Sequence, residues 1–212
     1  MSKIQEIASA VETGKIKLIE GLVQEAIDAG ENPNAILDDG MVAAMSNVGA
    51  KFQTNELFVP EMLISAKTMK KGVEILKPHL TGGSLGKLGK YIIGTVAGDL
   101  HDIGKNLVAL MVESAGFEVI DLGVDVSPEK FVEALNQNPE CKIVGASALL
   151  TTTMDAMKST VSAIHDSGYK GKVKVMVGGA PVTQEFADQI GADAYTPDAG
   201  SAASKAVELV SL

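Results

Sequence analysis

The sequence has 212 residues, of which 46% are hydrophobic and 21% are charged, so it can bury the core of one large domain or of two smaller ones. Its net charge is -9 and none of its 18 basic residues is an arginine, which disfavours a nucleic-acid groove because phosphates attract clustered positive charge. The single cysteine, Cys141, excludes an internal disulfide and a cysteine-rich metal site. No apolar stretch approaches the roughly 18 residues of a membrane span, so we expect a cytoplasmic protein without a membrane partner.

Apolar residues near the start of the chain recur at helical spacing, as in Ile4, Ile7 and Val11. The series is interrupted by residues that end helices. These breaks lie at Thr13-Gly14, Gly30, Pro33, Asn55, Pro60 and Pro78. The pattern predicts an N-terminal all-α bundle of four or five antiparallel helices over residues 1–80.

Four glycines between Thr81 and Gly89 indicate a linker over residues 81–90. Beyond it, short runs rich in valine and isoleucine alternate with helical stretches. These runs are Tyr91–Val96, Phe117–Leu122, Lys142–Ala148, Lys172–Val177 and Ala192–Tyr195. The alternation predicts an α/β doubly wound parallel sheet of the Rossmann or flavodoxin type over residues 91–212.

Three unusual sequences follow predicted strands, where ligands bind in sheets of this type. The first is the run Gly98-Asp99-Leu100-His101-Asp102-Ile103-Gly104, after the first strand. The second is Ser147–Thr153, at the end of the third strand, and the third is the pair Gly178-Gly179, after the fourth. We therefore expect an imidazole, several hydroxyls and a glycine-walled gap on one rim of the sheet.

His101 has two neighbouring carboxylates, which is typical of a metal ligand or a general base. His79 and His165 are expected to lie away from this rim, and a lone imidazole suits a metal already held in a macrocycle better than a bare zinc ion. A second interpretation stays open from the residues alone: Asp99 and Asp102 cap a helix, and His101 is a solvated loop residue. The glycine pair is equally compatible with an ordinary turn.

The pattern DxHxxG, followed by SxL and GG at strand ends and preceded by a helical domain, resembles the cobalamin-binding domain shared by methionine synthase and the corrinoid proteins of methyltransferase systems. The resemblance covers essentially the entire chain, and Phe52–Val73 is similar to the helical cap that covers the corrin in that family. It implies that His101 replaces the dimethylbenzimidazole tail as the lower ligand of cobalt. It also implies that Asp99 accepts the other imidazole N–H and that Thr153 stands where the family has a serine.

The resemblance further implies which residues line the cofactor. This cofactor-binding set is Gly98, Asp99, Leu100, His101, Asp102, Ile103, Gly104, Ser147, Leu149, Thr151, Gly178, Gly179, Ala199, Gly200, Phe52 and Val59. By the same resemblance, Ser147 and Thr151 would hydrogen-bond the displaced tail or its surroundings, and Gly104, Gly178 and Gly179 would leave a channel for it. Phe52 and Val59 would shield a bound methyl group from water, although both residues are equally compatible with an ordinary bundle core.

The resemblance implies a methyl carrier of one-carbon metabolism that holds cobalt in cobalamin, as methylcobalamin or cob(I)alamin, or in a related corrinoid. A substrate-specific methyltransferase would load the methyl group, and a methyl-acceptor methyltransferase would pass it to tetrahydrofolate or to a thiol. A reductive activator of the corrinoid would complete the system. The chain has no length left for substrate-binding barrels, so we expect it to be inactive without these partners. The linker, over Gly82–Gly89, is expected to act as a hinge.

Three other functions are weighed against the carrier. A cobalamin-dependent sensor or regulatory binding module would need an output domain, such as a basic helix-turn-helix segment, and the sequence offers none. A cobalamin-dependent mutase subunit usually lacks the helical cap. A flavodoxin-like module without cobalamin is disfavoured by the histidine motif.

Overall fold

The computed structural model describes residues 1–80 and 86–211. The chain divides into two compact units. The first comprises Met1–Lys87 with Ser114–Gly116, and the second comprises Leu88–Glu113 with Phe117–Leu212. Half of the predicted linker, from Thr81 to Leu85, lies outside the described residues.

The first unit is helical. Its elements are α1 (Lys3–Glu12), α2 (Ile19–Asp28), α3 (Pro33–Ala35), a π-helical segment (Ile36–Val42), α4 (Ala43–Gln53), α5 (Val59–Leu76) and a 3-10 turn (Lys77–His79). Helix α1 begins with a capping box, in which Ser2 Oγ accepts the N–H of Gln5 at 3.2 Å and Gln5 Oε1 accepts the N–H of Ser2 at 2.9 Å. Helix α5 has Pro60 in its first turn, where the missing N–H removes no helical bond.

The helices of the first unit pack around a continuous apolar core. Helix α1 packs against α2, α4 and α5, and α2 also packs against α5. At Gly72 of α5, an added Cβ would lie 2.8 Å from Met41 Cε and 3.0 Å from Ile19 Cγ1, so the missing side chain allows the close approach. This packing agrees with the predicted helical bundle. None of the helices within the described ranges is both long and apolar enough to cross a membrane.

The second unit is a parallel sheet of five strands, and helices connect successive strands along the chain. Its strands are β1 (Lys90–Thr95), β2 (Glu118–Asp121), β3 (Cys141–Ser147), β4 (Lys174–Gly178) and β5 (Ala194–Tyr195). Its helices are α6 (Ile103–Ser114), α7 (Pro128–Gln137), α8 (Met154–Ile164), α9 (Gln184–Ile190) and α10 (Ala199–Ser211), with a 3-10 turn at Thr151–Thr153 and a π turn at His165–Tyr169. The predicted doubly wound α/β fold is confirmed.

Both faces of the sheet are buried, as expected for parallel strands. Ile92 of β1 and Val144 of β3 lie in one core cluster with residues of α7, α8 and α9. Tyr91 and Ile93 alternate with Ile92 along β1 and are also buried. Right-handed crossovers place α6 on the opposite face from α7, α8 and α9.

The strand order is β2-β1-β3-β4-β5, so the chain leaves β1 toward one edge of the sheet and leaves β3 toward the other. The gap between the loops after β1 and β3 is therefore the topological switch point of the sheet. The pairing register aligns Thr95 with Ser147 and Ser147 with Gly178. The three predicted motifs thus begin side by side at the carboxyl edge of the sheet.

Candidate functional site

Asp99 lies at the centre of this edge. Its carboxylate is completely buried and accepts hydrogen bonds on both oxygens. Oδ1 accepts the backbone N–H of His101 at 3.0 Å and lies 2.7 Å from His101 Nδ1. Oδ2 accepts the backbone N–H of Leu149 at 2.7 Å, the N–H of Leu150 at 3.3 Å and the hydroxyl of Thr153 at 3.0 Å. The side chain is therefore turned into the switch point, which rules out the alternative in which Asp99 serves as a helix cap.

These contacts decide the charge of Asp99. Burial acts to raise the pKa of the carboxyl, but the hydrogen bonds from Leu149, His101 and Thr153 outweigh it and hold the pKa well below its usual range. An ionised carboxylate can only accept, so Nδ1 of His101 carries the hydrogen in this contact. In the neutral imidazole, the unprotonated nitrogen is then Nε2.

The imidazole of His101 is held on its inner side and open on the outer side. Its side chain is 50% exposed, and within the described part of the chain Nε2 makes no hydrogen bond. The backbone of the loop is also fixed, because Thr95 Oγ1 donates to the His101 carbonyl at 2.8 Å. An oriented imidazole with a free lone pair on Nε2 is the donor that a macrocycle-bound metal requires.

Thr153 supplies the hydroxyl expected beside Asp99. It is buried in the 3-10 turn after β3, and its Oγ1 lies 3.0 Å from Asp99 Oδ2 and 2.9 Å from the carbonyl of Leu150. Both neighbours are acceptors, so they compete for one hydroxyl hydrogen. The branched Cβ of threonine restricts its χ1 rotamers, but the rotamer adopted by Thr153 still allows the contact with Asp99.

The two loops that supply His101 and the backbone donors to Asp99 carry large apolar side chains that are exposed. Leu100 and Ile103 are 71% and 76% exposed, and Leu149 and Leu150 are 44% and 40% exposed. They belong to the two loops that flank the switch point. Exposed large apolar side chains that share one edge suit a broad, largely apolar ligand better than a bare ion.

Glycines allow neighbouring backbone segments to pack closely at this edge. A Cβ on Gly179 would lie only 1.8 Å from the carbonyl oxygen of Ala148, and a Cβ on Gly178 would lie 3.1 Å from the carbonyl oxygen of Thr196. Gly179 also has φ +129°, which a side chain rarely permits. At Gly104, in contrast, nothing lies within 4 Å of an added Cβ. The gap beside Gly104 is therefore open space, as a channel for a ligand tail requires.

The remaining predicted residues of the second unit lie on the same edge with fewer contacts. Ser147 is half-buried at the end of β3, and Thr151 is exposed at the start of the 3-10 turn. Asp102 is exposed, and its Oδ2 accepts from the side chain of Asn106 at 3.1 Å. Gly98 has φ +80° and lies at the start of the loop that carries Asp99 and His101.

Ala199 and Gly200 are buried in the first turn of α10, which follows β5. The N–H and hydroxyl of Ser201 donate to Asp198 at 2.8 and 2.6 Å, so this helix start is fixed. Phe52 and Val59 belong to the first unit. Phe52 is half-buried in α4, and Val59 is exposed at the start of α5.

Three contacts of the site escaped the sequence analysis. The backbone N–H of Leu150 donates a second main-chain hydrogen bond to Asp99 Oδ2, and the only sequence signal for it was the position of Leu150 directly after the predicted residue Leu149. Asp125, in the loop after β2, accepts the N–H of Gly98 at 2.7 Å and has φ +52°. Lys105 is buried and its Nζ lies 2.5 Å from Asp121 Oδ2. Neither of the last two pairs has a sequence signature, because the partners belong to different elements: Gly98 and Asp125 to the loops after β1 and β2, and Lys105 and Asp121 to α6 and β2.

The donor set fits a corrinoid. Within residues 1–80 and 86–211, no group of three histidine, cysteine or acidic side chains could hold a metal ion. A corrin supplies four nitrogen ligands of its own and needs one imidazole from below, and the edge offers one oriented imidazole amid apolar side chains. The site residues thus match the chemistry of this group.

Comparisons with known proteins agree with the site. Residues 89–207 match the family described as "B12 binding domain", and residues 3–77 match a second family with the same description. These two ranges include the second unit's site and the helices of the first unit.

Among curated proteins, the chain is 43% identical to a dimethylamine corrinoid protein of Methanosarcina barkeri, over 98% of this chain and 97% of that one. It is 44% identical to a trimethylamine corrinoid protein of Methanosarcina acetivorans, over 89% and 88% of the two chains. Among solved structures, the methanol:cobalamin methyltransferase complex MtaBC of Methanosarcina barkeri contains a chain that is 30% identical, with a TM-score of 0.86 and coverage of 99% of this chain and 80% of that chain. This chain belongs to the B12-binding family of corrinoid proteins.

Proposed function

We propose that this protein is a corrinoid methyl carrier of a methyltransferase system and that His101 is the lower ligand of its cobalt. The observation that carries the proposal is the imidazole itself. Asp99 binds Nδ1 from the buried side at 2.7 Å, and Nε2 is open among exposed apolar side chains. The similarity to dimethylamine and trimethylamine corrinoid proteins over nearly the whole chain supports the same function.

A bound corrinoid would supply a cobalt ion that accepts a methyl group from one enzyme and releases it to another. The chain's own residues would bind and orient this group. Asp99 keeps the hydrogen on Nδ1 of His101 and so directs the lone pair of Nε2 outward. The leucines and Ile103 of the two loops would exclude water from the side of the group that His101 binds, and the open space at Gly104 would receive part of the tail. Gly178 and Gly179 are packed against the backbone of Ala148 and Thr196, so their own side-chain positions offer no such space.

The hydroxyl of Thr153 would modulate the negative charge with which the Asp99 carboxylate acts on the imidazole of His101. When its hydrogen points to Asp99 Oδ2, it withdraws negative charge from the carboxylate; when it points to the carbonyl of Leu150, the carboxylate acts on His101 with its full charge. Asp99 and Thr153 would therefore adjust how strongly Nε2 binds a metal. Ser147 and Thr151 offer two further hydroxyls to the tail.

The partners are methyltransferases. The named relatives favour a methylated amine as the methyl donor, bound by a substrate-specific methyltransferase, with tetrahydrofolate or a thiol as the acceptor on a second methyltransferase. A reductive activator would restore the corrinoid after oxidation. We further propose that residues 1–80 are a cap, with Phe52 and Val59 on the methyl-bearing face, and that residues 81–90 link it to a cobalamin-binding domain over residues 91–212.

The ligation is tested with the purified protein, refolded or reconstituted with cobalamin. We expect one cobalamin per chain and an absorption spectrum of the form in which the tail base has left the cobalt and a protein nitrogen has replaced it. His101→Ala should retain the fold and lose this spectrum, whereas the matched control His79→Ala, at an exposed histidine of the first unit, should retain it. An unchanged spectrum for His101→Ala would disprove the ligation.

The carrier role is tested by methyl transfer. The reduced holoprotein is incubated with dimethylamine, trimethylamine or methanol and with the methyltransferases that copurify with it from cells grown on each donor. The proposal requires donor-dependent methylation of the corrinoid and its reversal by an acceptor enzyme. A holoprotein that binds cobalamin yet is methylated with none of these donors and associates with no methyltransferase would favour the sensor.

A further inference from the structure

The loop that carries His101 is held from the side by a residue to which no role has been given, Asp125. This residue lies in the loop between β2 and α7. Its Oδ1 accepts the N–H of Gly98 at 2.7 Å, and its own N–H donates to the carbonyl of Asp99 at 3.0 Å. The first bond holds the peptide group before Gly98 and the second holds the peptide group after Asp99, so Asp125 fixes the backbone on both sides of the Gly98-Asp99 unit.

The loop needs such a restraint because it begins at a flexible point. Gly98 has φ +80° and no side chain, and glycine passes easily between backbone conformations. A rotation at Gly98 would move Asp99 and, with it, the imidazole of His101. Asp125 opposes this rotation from outside the loop.

The position of Asp125 is itself strongly determined. Its backbone is in the left-handed region, with φ +52°, which is uncommon for a residue other than glycine. The flanking backbone is bonded to β1, because the N–H of Val126 donates to the carbonyl of Thr95 at 2.9 Å and the N–H of Thr95 donates to the carbonyl of Gly123 at 3.0 Å. Strained backbone that is retained by its surroundings is typical of functional sites.

Thr95 connects this arrangement to the imidazole. Its main chain is bonded to the β2–α7 loop, and its hydroxyl donates to the carbonyl of His101 at 2.8 Å. The loop of His101 is therefore held by Asp125 at its start and by Thr95 in its middle. Both restraints depend on the same short segment after β2.

We propose that Asp125 is a positioning residue for the lower ligand: it fixes the backbone from the N–H of Gly98 to the carbonyl of Asp99 and so determines the fraction of bound corrinoid whose cobalt is bound by His101. The proposal rests on the proposed function, in which His101 is the ligand. It predicts that the hydrogen bond from Gly98, and not merely the shape of the turn, controls ligation.

Substitutions separate these two properties. Asp125→Asn keeps an acceptor and a residue type that tolerates positive φ, so it should behave as the native protein. Asp125→Gly keeps the backbone conformation and removes the acceptor. Asp125→Ser is a second variant in which the side chain is too short to make the same bond. Asp193→Ala is the matched control, because Asp193 accepts the N–H of Val175 at 2.8 Å at the other end of the sheet.

The measurement is electron paramagnetic resonance of the cobalt(II) holoprotein made with cobalamin and with 15N-labelled histidine. A protein imidazole on cobalt gives a two-line nitrogen splitting, whereas the tail base, with ordinary nitrogen, gives three lines. We expect Asp125→Gly to lower the ratio of imidazole-bound to imidazole-free cobalt by roughly three- to tenfold, the usual effect of one hydrogen bond. Asp125→Asn and Asp193→Ala should leave the ratio unchanged.

Amide hydrogen exchange of the cofactor-free protein gives a second readout. Exchange at Gly98 should become roughly tenfold faster in Asp125→Gly and in Asp125→Ser, but not in Asp193→Ala. A native ratio or native exchange at Gly98 in these variants would overturn the role of Asp125 while leaving His101 as the ligand. If the native holoprotein lacks the two-line splitting, the ligation by His101 fails as well, so the two failures are distinguishable.

Discussion

Nδ1 of His101 lies 2.7 Å from Oδ1 of Asp99, a carboxylate with no exposed surface. We predict that Asp99→Asn, which keeps the volume of the side chain, weakens the binding of His101 to cobalt roughly 10- to 100-fold, as is usual when the partner of a ligating histidine is lost. The cobalt spectrum of the reconstituted variant checks this, with Asp166→Asn as the control at an exposed carboxylate of the same unit outside the cofactor-binding set. A spectrum and methyl-transfer rates equal to those of the native protein would show that the pair has no role.

Asp99 should also make the stability of the second unit depend on pH. Its pKa is lowered in the folded protein, so its contribution to the free energy of unfolding is complete above its unfolded pKa of about 4 and is lost as the pH falls further. All three tyrosines belong to the second unit, so near-ultraviolet circular dichroism of tyrosine follows this unit. We expect urea midpoints of the native protein to fall more steeply between pH 5 and pH 3, a range of about two units around that pKa, than those of Asp99→Asn. Parallel curves would contradict the prediction.

Two glycines of the site should respond in opposite ways to an added methyl group. Gly179→Ala would place Cβ 1.8 Å from the carbonyl oxygen of Ala148 at φ +129°, and we expect it to lower the free energy of unfolding by about 3 kcal/mol. Gly104→Ala adds a Cβ to a helix where nothing lies within 4 Å, so it should be neutral or stabilise by up to about 1 kcal/mol. Urea unfolding of the cofactor-free variants measures both effects.

A larger substitution at Gly104 tests whether this position lines the channel for the tail. If the open space at Gly104 receives part of the cofactor, Gly104→Leu should fold as well as the native protein and bind cobalamin more weakly in equilibrium titrations. Equal affinity would place the tail elsewhere.

The buried lysine of the second unit, Lys105, gives a prediction about stability alone. Nζ of Lys105 lies 2.7 Å from Asp121 Oδ1, 2.5 Å from Oδ2 and 2.7 Å from Asn106 Oδ1. The lysine side chain is 2% exposed, but that of Asp121 is 40% exposed. Asp121→Ala leaves a buried cation without its partner and should destabilise by about 2–4 kcal/mol, whereas Lys105→Met removes the charge and should cost less.

Urea unfolding followed by the tyrosine signal compares these two variants. A larger loss of stability for Lys105→Met than for Asp121→Ala would mean that the lysine is stabilised mainly by the packing of its methylenes.

The fold could be predicted because its signals are local. Buried parallel strands require continuous apolar runs, and each predicted run contains the observed strand or overlaps it. The bounds differ where hydrogen bonding decides them: β4 begins at Lys174 and not at Lys172, because Gly171, with φ +76°, continues a turn. The π-helical segment Ile36–Val42 has no recognised sequence signal.

The site was predictable only in part. His101, Asp99 and Thr153 could be identified because their motifs follow strands whose ends must meet. The direction of the Asp99 side chain could not be decided, since a helix cap and a buried acceptor share the same local sequence. The contact of Asp125 with Gly98 depends on the register between β1 and the loop after β2, which no local pattern specifies.

The hydrogen bonds of Asp99 have a consequence for the order of assembly. Its partners come from the loop after β1 and from the loop after β3, so the carboxylate can be desolvated only once these strands are adjacent. Among the described residues no buried side-chain polar atom lacks a hydrogen-bond partner from the protein itself. Most of the conformational entropy of the ligand loop is therefore lost during folding. Cofactor loading should follow the completion of the sheet and should not be needed to guide it.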